Sequence, residues 1–498
     1  MNSASCDAVV IGSGFGGACA AHALAHAGLH TLLLERGGWP RRDELDWDQR
    51  AILIDKRYQS DSPLLIRQYG SSTFKPLCPN ETVGGMSVFY GGASLRLREN
   101  DFARWPLGYA ELEPYYTRAE QLLGVHGRAG EDPFEPPRSA PYPQAPVPLT
   151  PPARRIRDAA QSLGYRPFPI PLALNFSDPA RPRCIQCNTC DGFPCKIEAK
   201  NDLTATLLRA AQARGLEIAA GAIAGRLVRT GGRISSVEGF DKTTRQPFAF
   251  SARLFVLAGG ALHSPALLLR SGLGNPWVGR CLMRHCNGVV AGVFPFATNP
   301  DQVFHKQLCL ADFYEDHRAL HGTATGIVQD IYTPAPQVIR HFAPLGLKRI
   351  AGLVAGRMQN LLCIAEDEPL PENQVTLSDQ RDVFGMELVQ VQHRYTEADC
   401  ARRDYLGGKA RQILRRAGAF LCKTYRIDSF SHAVGSARFG TSPETSALDP
   451  LCRLWEMENL FVVDGSFMPS SGGVNPSLTI AANALRVGEY LAENFASR

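Results

Sequence analysis

The sequence lacks a one-sided charge. Its 53 basic and 48 acidic residues leave a net +5 over 498 positions. That mild excess on a large surface argues against a dedicated nucleic-acid binder. A long apolar run is also missing: the longest candidate, 254–269, is broken by Gly259, Gly260, His263, Ser264 and Pro265. No stretch therefore reads as an integral membrane segment. No basic leader followed by an apolar core is visible, and Asp7 already stands in the first strand-like stretch. A cytoplasmic location is the expectation. No internal repeat is evident. Cysteine is not scarce, but most of the 14 residues are scattered, as buried thiols in a reducing compartment would be. One cluster is the exception.

What is present is a strong opening. Ala8 to Ile11 is an apolar run suited to a buried strand, and Gly12-Ser13-Gly14-Phe15-Gly16-Gly17 follows it. Gly12, Gly14 and Gly17 give the G-x-G-x-x-G spacing. Ala18, Ala21, Ala25 and Gly28 then recur at helical intervals, and Thr31 to Leu34 reads as a second strand closed by Glu35. The glycines permit a tight turn, close backbone approach to a pyrophosphate, and close packing of helix on strand. The helix N-terminus offers N–H groups to phosphate, and Glu35 is placed to accept from ribose hydroxyls. The motif reads as dinucleotide binding but does not separate FAD from NAD.

At this length the chain should divide into two domains. Val83 to Ser94 carries four glycines and reads either as an ordinary loop or as a second wall of the cofactor site. Helices are expected over 110–123, 154–163, 199–214 and 398–417, with a proline-rich, extended strap over 133–152. Short strands are expected at 216–220, 226–230, 234–240 and 248–250, and a buried strand at 254–257 runs into Gly259 and Gly260. Alternation at 375–378 and 387–392 suggests a sheet in the later region. Asn475 and Pro476 suit a helix cap and first turn, and Leu460 to Val463 before them is apolar, so both chain ends should return to the dinucleotide domain.

Four places in the chain resemble the FAD-dependent glucose–methanol–choline (GMC) oxidoreductases. Gly12 to Gly17 with Glu35 is similar to the family's FAD fingerprint. Val83 to Gly91 resembles its second glycine loop. Ala258-Gly259-Gly260-Ala261-Leu262-His263-Ser264-Pro265, followed by 267–272, is similar to its A-G-A-x-x-S-P signature. Ser431 to Gly440, Val463-Asp464-Gly465 and Asn475-Pro476-Ser477-Leu478-Thr479 resemble its H-x-x-G-T ending with D-x-S and N-P-x-x-T. The chain departs from the pattern at Met86 and Tyr90, where a small polar residue and Asn are usual.

The resemblance implies an α/β fold: an FAD-binding Rossmann-like domain of glutathione-reductase type, and an α+β substrate domain with an antiparallel sheet. It places the FAD domain at 1–125, 180–285 and 440–498, a connecting strap at 126–179 and the substrate domain at 286–439. It assigns cofactor contacts to Gly12, Ser13, Gly14, Phe15, Gly16, Gly17, Glu35 and Arg36 in the first unit. Gly84, Gly85, Ser87, Tyr90 and Gly91 follow in the second loop, then Ala224, Ala258 and Gly259. Asp464, Gly465, Asn475, Pro476 and Thr479 close the set. No histidine precedes Val83 as members with covalently attached flavin require, so non-covalent FAD is expected.

The implied reaction oxidises an alcohol to a carbonyl, with flavin N5 taking hydride and a protein base taking the hydroxyl proton. His432 is the candidate base and Asn475 the partner that holds the oxygen; otherwise they read as a structural imidazole and a helix cap. Phe89 to Ser94 and Val463 to Pro469 are similar to bacterial members acting on sugar-like and aminoglycoside hydroxyls. The expected partners are a small alcohol and an electron acceptor such as oxygen or a quinone. Cys184, Cys187, Cys190 and Cys195 stand in C-x2-C-x2-C-x4-C. That spacing reads as a plain cysteine-rich loop, an iron–sulfur site or a zinc knuckle, and no metal ligand is assigned. A GMC-fold lyase of hydroxynitrile-lyase type and an FAD/iron–sulfur electron-transfer subunit stand as alternative functions.

Overall fold

The computed structural model describes residues 5–495 apart from 69, 305 and 428. Its largest sheet has seven strands in the order Glu217–Ala220, Thr31–Glu35, Ser5–Ile11, Pro247–Leu257, Arg233–Asp241, Ala222–Thr230. The first four are parallel, and the last two fold back as an antiparallel meander. Leu460–Val462 adds a parallel strand beside the end of Pro247–Leu257. The sequence suggests two strands at 248–250 and 254–257, but one continuous strand forms. Nothing between them breaks it, because Ser251 and Ala252 pair with Ser5 and Cys6.

One helix packs across this sheet, and the last helix of the chain lies on that helix in turn. The helix Phe15–His26 is buried along almost its whole length. Its small side chains meet the last helix, Ser477–Phe495, where Gly488 lies against it. A Cβ on Gly488 would stand 2.9 Å from Ala23 Cβ and 3.3 Å from Ala20 Cα. Both ends of the chain thus return to the dinucleotide sheet.

A second sheet of six strands is antiparallel throughout, in the order Leu421–Arg426, Gly288–Val293, Met358–Ala365, Gly326–Ile331, Leu308–Leu310, Phe168–Pro169. The helix Glu397–Arg416 covers one face, burying Leu406, Ala410, Ile413 and Leu414 against Val290, Val328 and Leu361. Thr396 and Asp399 close its start as a reciprocal capping box. Alternation along Gly326–Ile331 turns Ile327 to the opposite face, into the core shared with the dinucleotide domain, and Gln329 shares that face by register.

Two expectations are corrected. The hairpin at 374–393 does not join the substrate sheet. It pairs in parallel with Leu64–Gln68, Gln390 opposite Leu65, in a separate sheet of four strands. Alternation reveals a strand but not its partner. The helix expected over 199–214 is confined to Leu207–Gln212. The Asp202 carboxylate takes the N–H groups of Thr204 and Ala205 at 3.1 and 3.2 Å, which holds the preceding residues in a turn. The strap residues 133–150 form no helix or strand element.

Gly488→Val should drive the first and last helices apart at a contact that backbone and alanine already fill. The expected cost is about 1–3 kcal/mol, read as a lower urea midpoint with an unchanged m-value.

Candidate active site

The first glycine turn is built by close approach. Gly12 has φ +102°, and a Cβ there would meet Ala258 O at 2.3 Å. A Cβ on Gly16 would meet Val463 O at 2.5 Å, and one on Gly17 the oxygen of Gly12 at 1.8 Å. Gly14 is different: a Cβ there would point into open space. No side chain caps the helix that begins at Phe15, and its first turn carries no acid. Open space beside uncapped N–H groups is what a pyrophosphate needs, so the residues present fit the dinucleotide.

Glu35 ends the second strand, buried. Its carboxylate accepts from Ser13 N at 3.1 Å, Ser13 Oγ at 2.6 Å and Gly37 N at 2.8 Å. Burial nevertheless pushes its pKa up, against those bonds. Ser13 Oγ also accepts from Gly84 N at 2.9 Å. One hydroxyl therefore joins the turn, the acid and the second glycine loop, and Gly85 lies against Gly14. Tyr90 sets its ring edge-on to Phe15 at 5.2 Å and donates to Asn201 O. Gly91 abuts Lys306, Arg36 pairs with Glu81 at 2.8 Å, and Ala224 lies opposite Gly239 in the meander.

Several expected contact residues have their side chains committed elsewhere. Ser87 Oγ donates to Gly84 O and accepts from Leu203 N. Thr479 Oγ1 is bonded to Tyr116 OH at 2.7 Å. Asp464 accepts from Gly260 N, Ser264 Oγ, Ser466 N and Ser466 Oγ, so it clamps the end of the 460–462 strand to the turn at 259–264. Gly259 N donates to the same Ser264 hydroxyl, Ala258 N donates to Ile11 O, and Gly465 O accepts from Gly435 N. Asn475 is not the helix cap. The final helix begins at Ser477, with Ile480 N donating to Pro476 O, and the Asn475 amide turns the other way.

That amide meets His432. Asn475 Nδ2 lies 3.3 Å from His432 Nε2, and Asn475 Oδ1 accepts from Gln329 Nε2 at 2.8 Å. His432 Nδ1 lies 2.9 Å from Nδ1 of His285. His285 is buried, and its Nε2 faces two carbonyl oxygens, Ser471 O at 3.1 Å and Gly472 O at 2.9 Å.

This geometry fixes the protons. Carbonyl oxygens only accept, so His285 Nε2 must carry hydrogen. Burial lowers the pKa of His285 and keeps it neutral, so its Nδ1 is a lone pair. His432 Nδ1 must then donate, which leaves His432 Nε2 as a lone pair facing the Asn475 N–H. Burial, with the Lys306 cation nearby, holds the His432 pKa well below the ordinary histidine value. The imidazole is a neutral base with its free nitrogen turned toward the amide.

His285 and Gln329 were not foreseen. His285 sits at φ +59°, a region rarely used outside glycine. It is held there by Asp367, which accepts from Arg284 N at 2.8 Å, His285 N at 3.0 Å and Ser471 Oγ at 2.8 Å. The available signal was compositional: a lone histidine in a mostly apolar stretch, and Gln329-Asp330 inside an otherwise apolar strand.

Cys184, Cys187, Cys190 and Cys195 line one pocket with Trp47, Phe304 and Lys200. Among the described residues, no group of three ligand-type side chains could hold a metal ion. Burial pushes the Cys184 thiol up to about 12 and the Cys190 thiol higher still.

The GMC oxidoreductase family pattern matches residues 7–287 and 369–484. The chain is 32% identical to 6'''-hydroxyparomomycin C oxidase of Streptomyces lividus, covering 99% of this chain and 92% of that protein. Identity to paromamine 6'-oxidase of Streptomyces fradiae is also 32%, over the same shares. Identity to 2-methyl-1,2-propanediol dehydrogenase of Mycolicibacterium austroafricanum is 27%, over 98% and 95% of the two chains. Among solved structures, pyridoxine 4-oxidase from "Mesorbium loti" superposes with a TM-score of 0.70 at 21% identity, over 99% of both chains.

Ser13→Ala removes a donor to buried Glu35 and the acceptor of Gly84 N together. The expected outcome is roughly 1–3 kcal/mol of lost stability and a lower flavin content after gel filtration, measured against wild type. Retained stability and flavin would mean that the hydroxyl does not join the two loops.

Proposed function

The chain belongs to the GMC oxidoreductases as an FAD-dependent enzyme acting on CH–OH donors, and on that footing we propose that His432 Nε2 takes the hydroxyl proton while Asn475 Nδ2 holds the oxygen. The observation that carries this is the tautomer chain from Ser471 and Gly472 through His285 to His432. It presents a lone pair and an N–H 3.3 Å apart, one to accept the proton and one to stabilise the resulting alkoxide. With His432 Nε2 a lone pair, Asn475 presents its N–H to the base and its oxygen to Gln329. When bound, the flavin supplies the two-electron acceptor that takes the carbon's hydrogen as hydride.

The first turn and Glu35 would hold the adenosine diphosphate half. The 84–91 loop, the 258–259 turn and the 464–465 backbone would wall the rest, and attachment is non-covalent. The substrate class is a sugar or polyol hydroxyl, supported by the two Streptomyces relatives, each aligned over nearly the whole chain. The protein works in the cytoplasm. Among the described residues no helix is long and apolar enough to cross a membrane.

A second reading, in which electrons leave through a metal cluster, rests on four cysteines lining one pocket; as placed they form no three-ligand group, so a metal would have to draw them together. Burial keeps the Cys184 and Cys190 thiols protonated, so a metal would displace their protons. Iron, acid-labile sulfide and zinc measured on anaerobically purified protein separate the readings. Roughly three or four irons with matching sulfide per flavin support the cluster, and metal-free thiols leave flavin as the only redox centre.

Candidate alcohols should bleach the flavin anaerobically; turnover without bleaching would indicate lyase chemistry. His432→Ala should keep FAD yet reduce the rate of bleaching about 10²- to 10⁴-fold, and an unchanged rate removes His432 from its role.

Because burial depresses the His432 pKa, the base is neutral throughout the neutral range. Reduction should be flat there and fall only as pH drops through that depressed pKa. His285→Gln should slow reduction by about 10²-fold with little change in KM and with flavin content retained. A merely structural role for His285 would lower flavin content in step with the rate.

A further inference from the structure

Two segments of the substrate domain carry all of their formal charge with one sign. Residues 331–365 and 405–427 hold ten Lys and Arg side chains and no Asp or Glu, in a chain whose net charge is +5. The two segments are neighbours in space: Gly288–Val293 pairs with Met358–Ala365 on one side and with Leu421–Arg426 on the other. The rest of the chain then holds 43 basic against 48 acidic residues, so the positive excess of the whole chain lies with these two segments.

This region is also apolar where it meets water. Between Gly326–Ile331 and Met358–Ala365 the chain forms a helical hairpin, Pro336–Phe342 and Lys348–Ala355. Its inner face is closed by Val338, Gly352 and Ala355, and Arg340 crosses directly over Gly352. Its outer face exposes Phe342 at 66%, Leu345 at 88%, Ile350 at 59% and Leu353 at 75%. Isolated exposed apolar residues need no explanation, but this set occupies one short hairpin.

The patch continues beyond the hairpin. Arg357 at its end donates to Pro295 O at 2.7 Å and accepts from Phe294 N through its carbonyl. This sets exposed Phe296 beside it. Phe420 N donates to Val293 O, which brings exposed Phe420 and Leu421 to the same edge.

We propose that this basic, apolar hairpin face docks on an anionic lipid surface. Exposed leucine, isoleucine and phenylalanine side chains interleaved with Lys348, Arg349 and Arg357 are the chemistry of an interfacial helix: the apolar groups enter the acyl boundary and the cations meet lipid phosphates. A nucleic acid would not require the apolar face, and a protein partner would not require an acid-free run of this length. The hairpin grows from the strand that carries Gln329 and returns through the next strand, so docking would hold the substrate domain against the bilayer. The proposal stands apart from the chemistry proposed for His432, because its test reads vesicle binding and not turnover.

The flavin-loaded full chain is sedimented with vesicles of phosphatidylcholine alone, and with vesicles containing about one-third phosphatidylglycerol. Binding is expected only with the anionic vesicles, and it should weaken as salt is raised. Lys348→Glu with Arg349→Glu, and separately Leu345→Ser with Leu353→Ser, should each lower partitioning roughly ten-fold or more while anaerobic bleaching by alcohol is retained. Three results would overturn it: no binding above that to neutral vesicles, binding that neither variant pair alters, or a concentration-dependent dimer that the same variants dissolve, which would assign the face to a second copy of the chain.

Discussion

Two carbonyl oxygens, those of Ser471 and Gly472, decide which way round the acid–base chemistry of this molecule can run. They accept and cannot donate, so the imidazole between them and His432 has its hydrogen on the far nitrogen. Every proton position downstream follows. Had a hydroxyl or an amide N–H stood in their place, His432 would be free to present a hydrogen where the reaction needs a lone pair. Burial strengthens the constraint, because charging either ring would leave a cation cut off from water.

The arrangement depends on three segments distant in sequence. Met283 and Val434 exchange backbone hydrogen bonds of 2.9 Å in both directions, which places residue 285 beside residue 432. Asp367 ties the backbone of 284 and 285 to the Ser471 hydroxyl. Asp464 then clamps the last strand to the 259–264 turn, and Gly16 touches Val463. The fold thus joins the reacting end of the site to the phosphate end through one carboxylate, and the final helix seals both by lying on the first.

The local motifs were legible because their signal is local. A glycine turn between strand and helix, an acid ending the next strand, and an Asn-Pro pair before a helix can each be read within a few residues. The return of both chain ends to one sheet follows from their apolar runs. His285 and Gln329 were not legible, since each acts through a partner about 150 positions away that only the tertiary register supplies. Ser87 and Thr479 show the converse. A motif marks the position, but the hydroxyls there are spent on Gly84, Leu203 and Tyr116. The cap expected of Asn475 failed for a related reason: Gln329 and His432 compete for its amide, and they win.

The central claim is a statement about hydrogen atoms, so it is tested by locating them. Neutron diffraction from a deuterium-exchanged crystal near neutral pH should place deuterium on His285 Nε2 and on His432 Nδ1, and none on His432 Nε2. Deuterium on His432 Nε2, or on both nitrogens of either ring, would contradict the account.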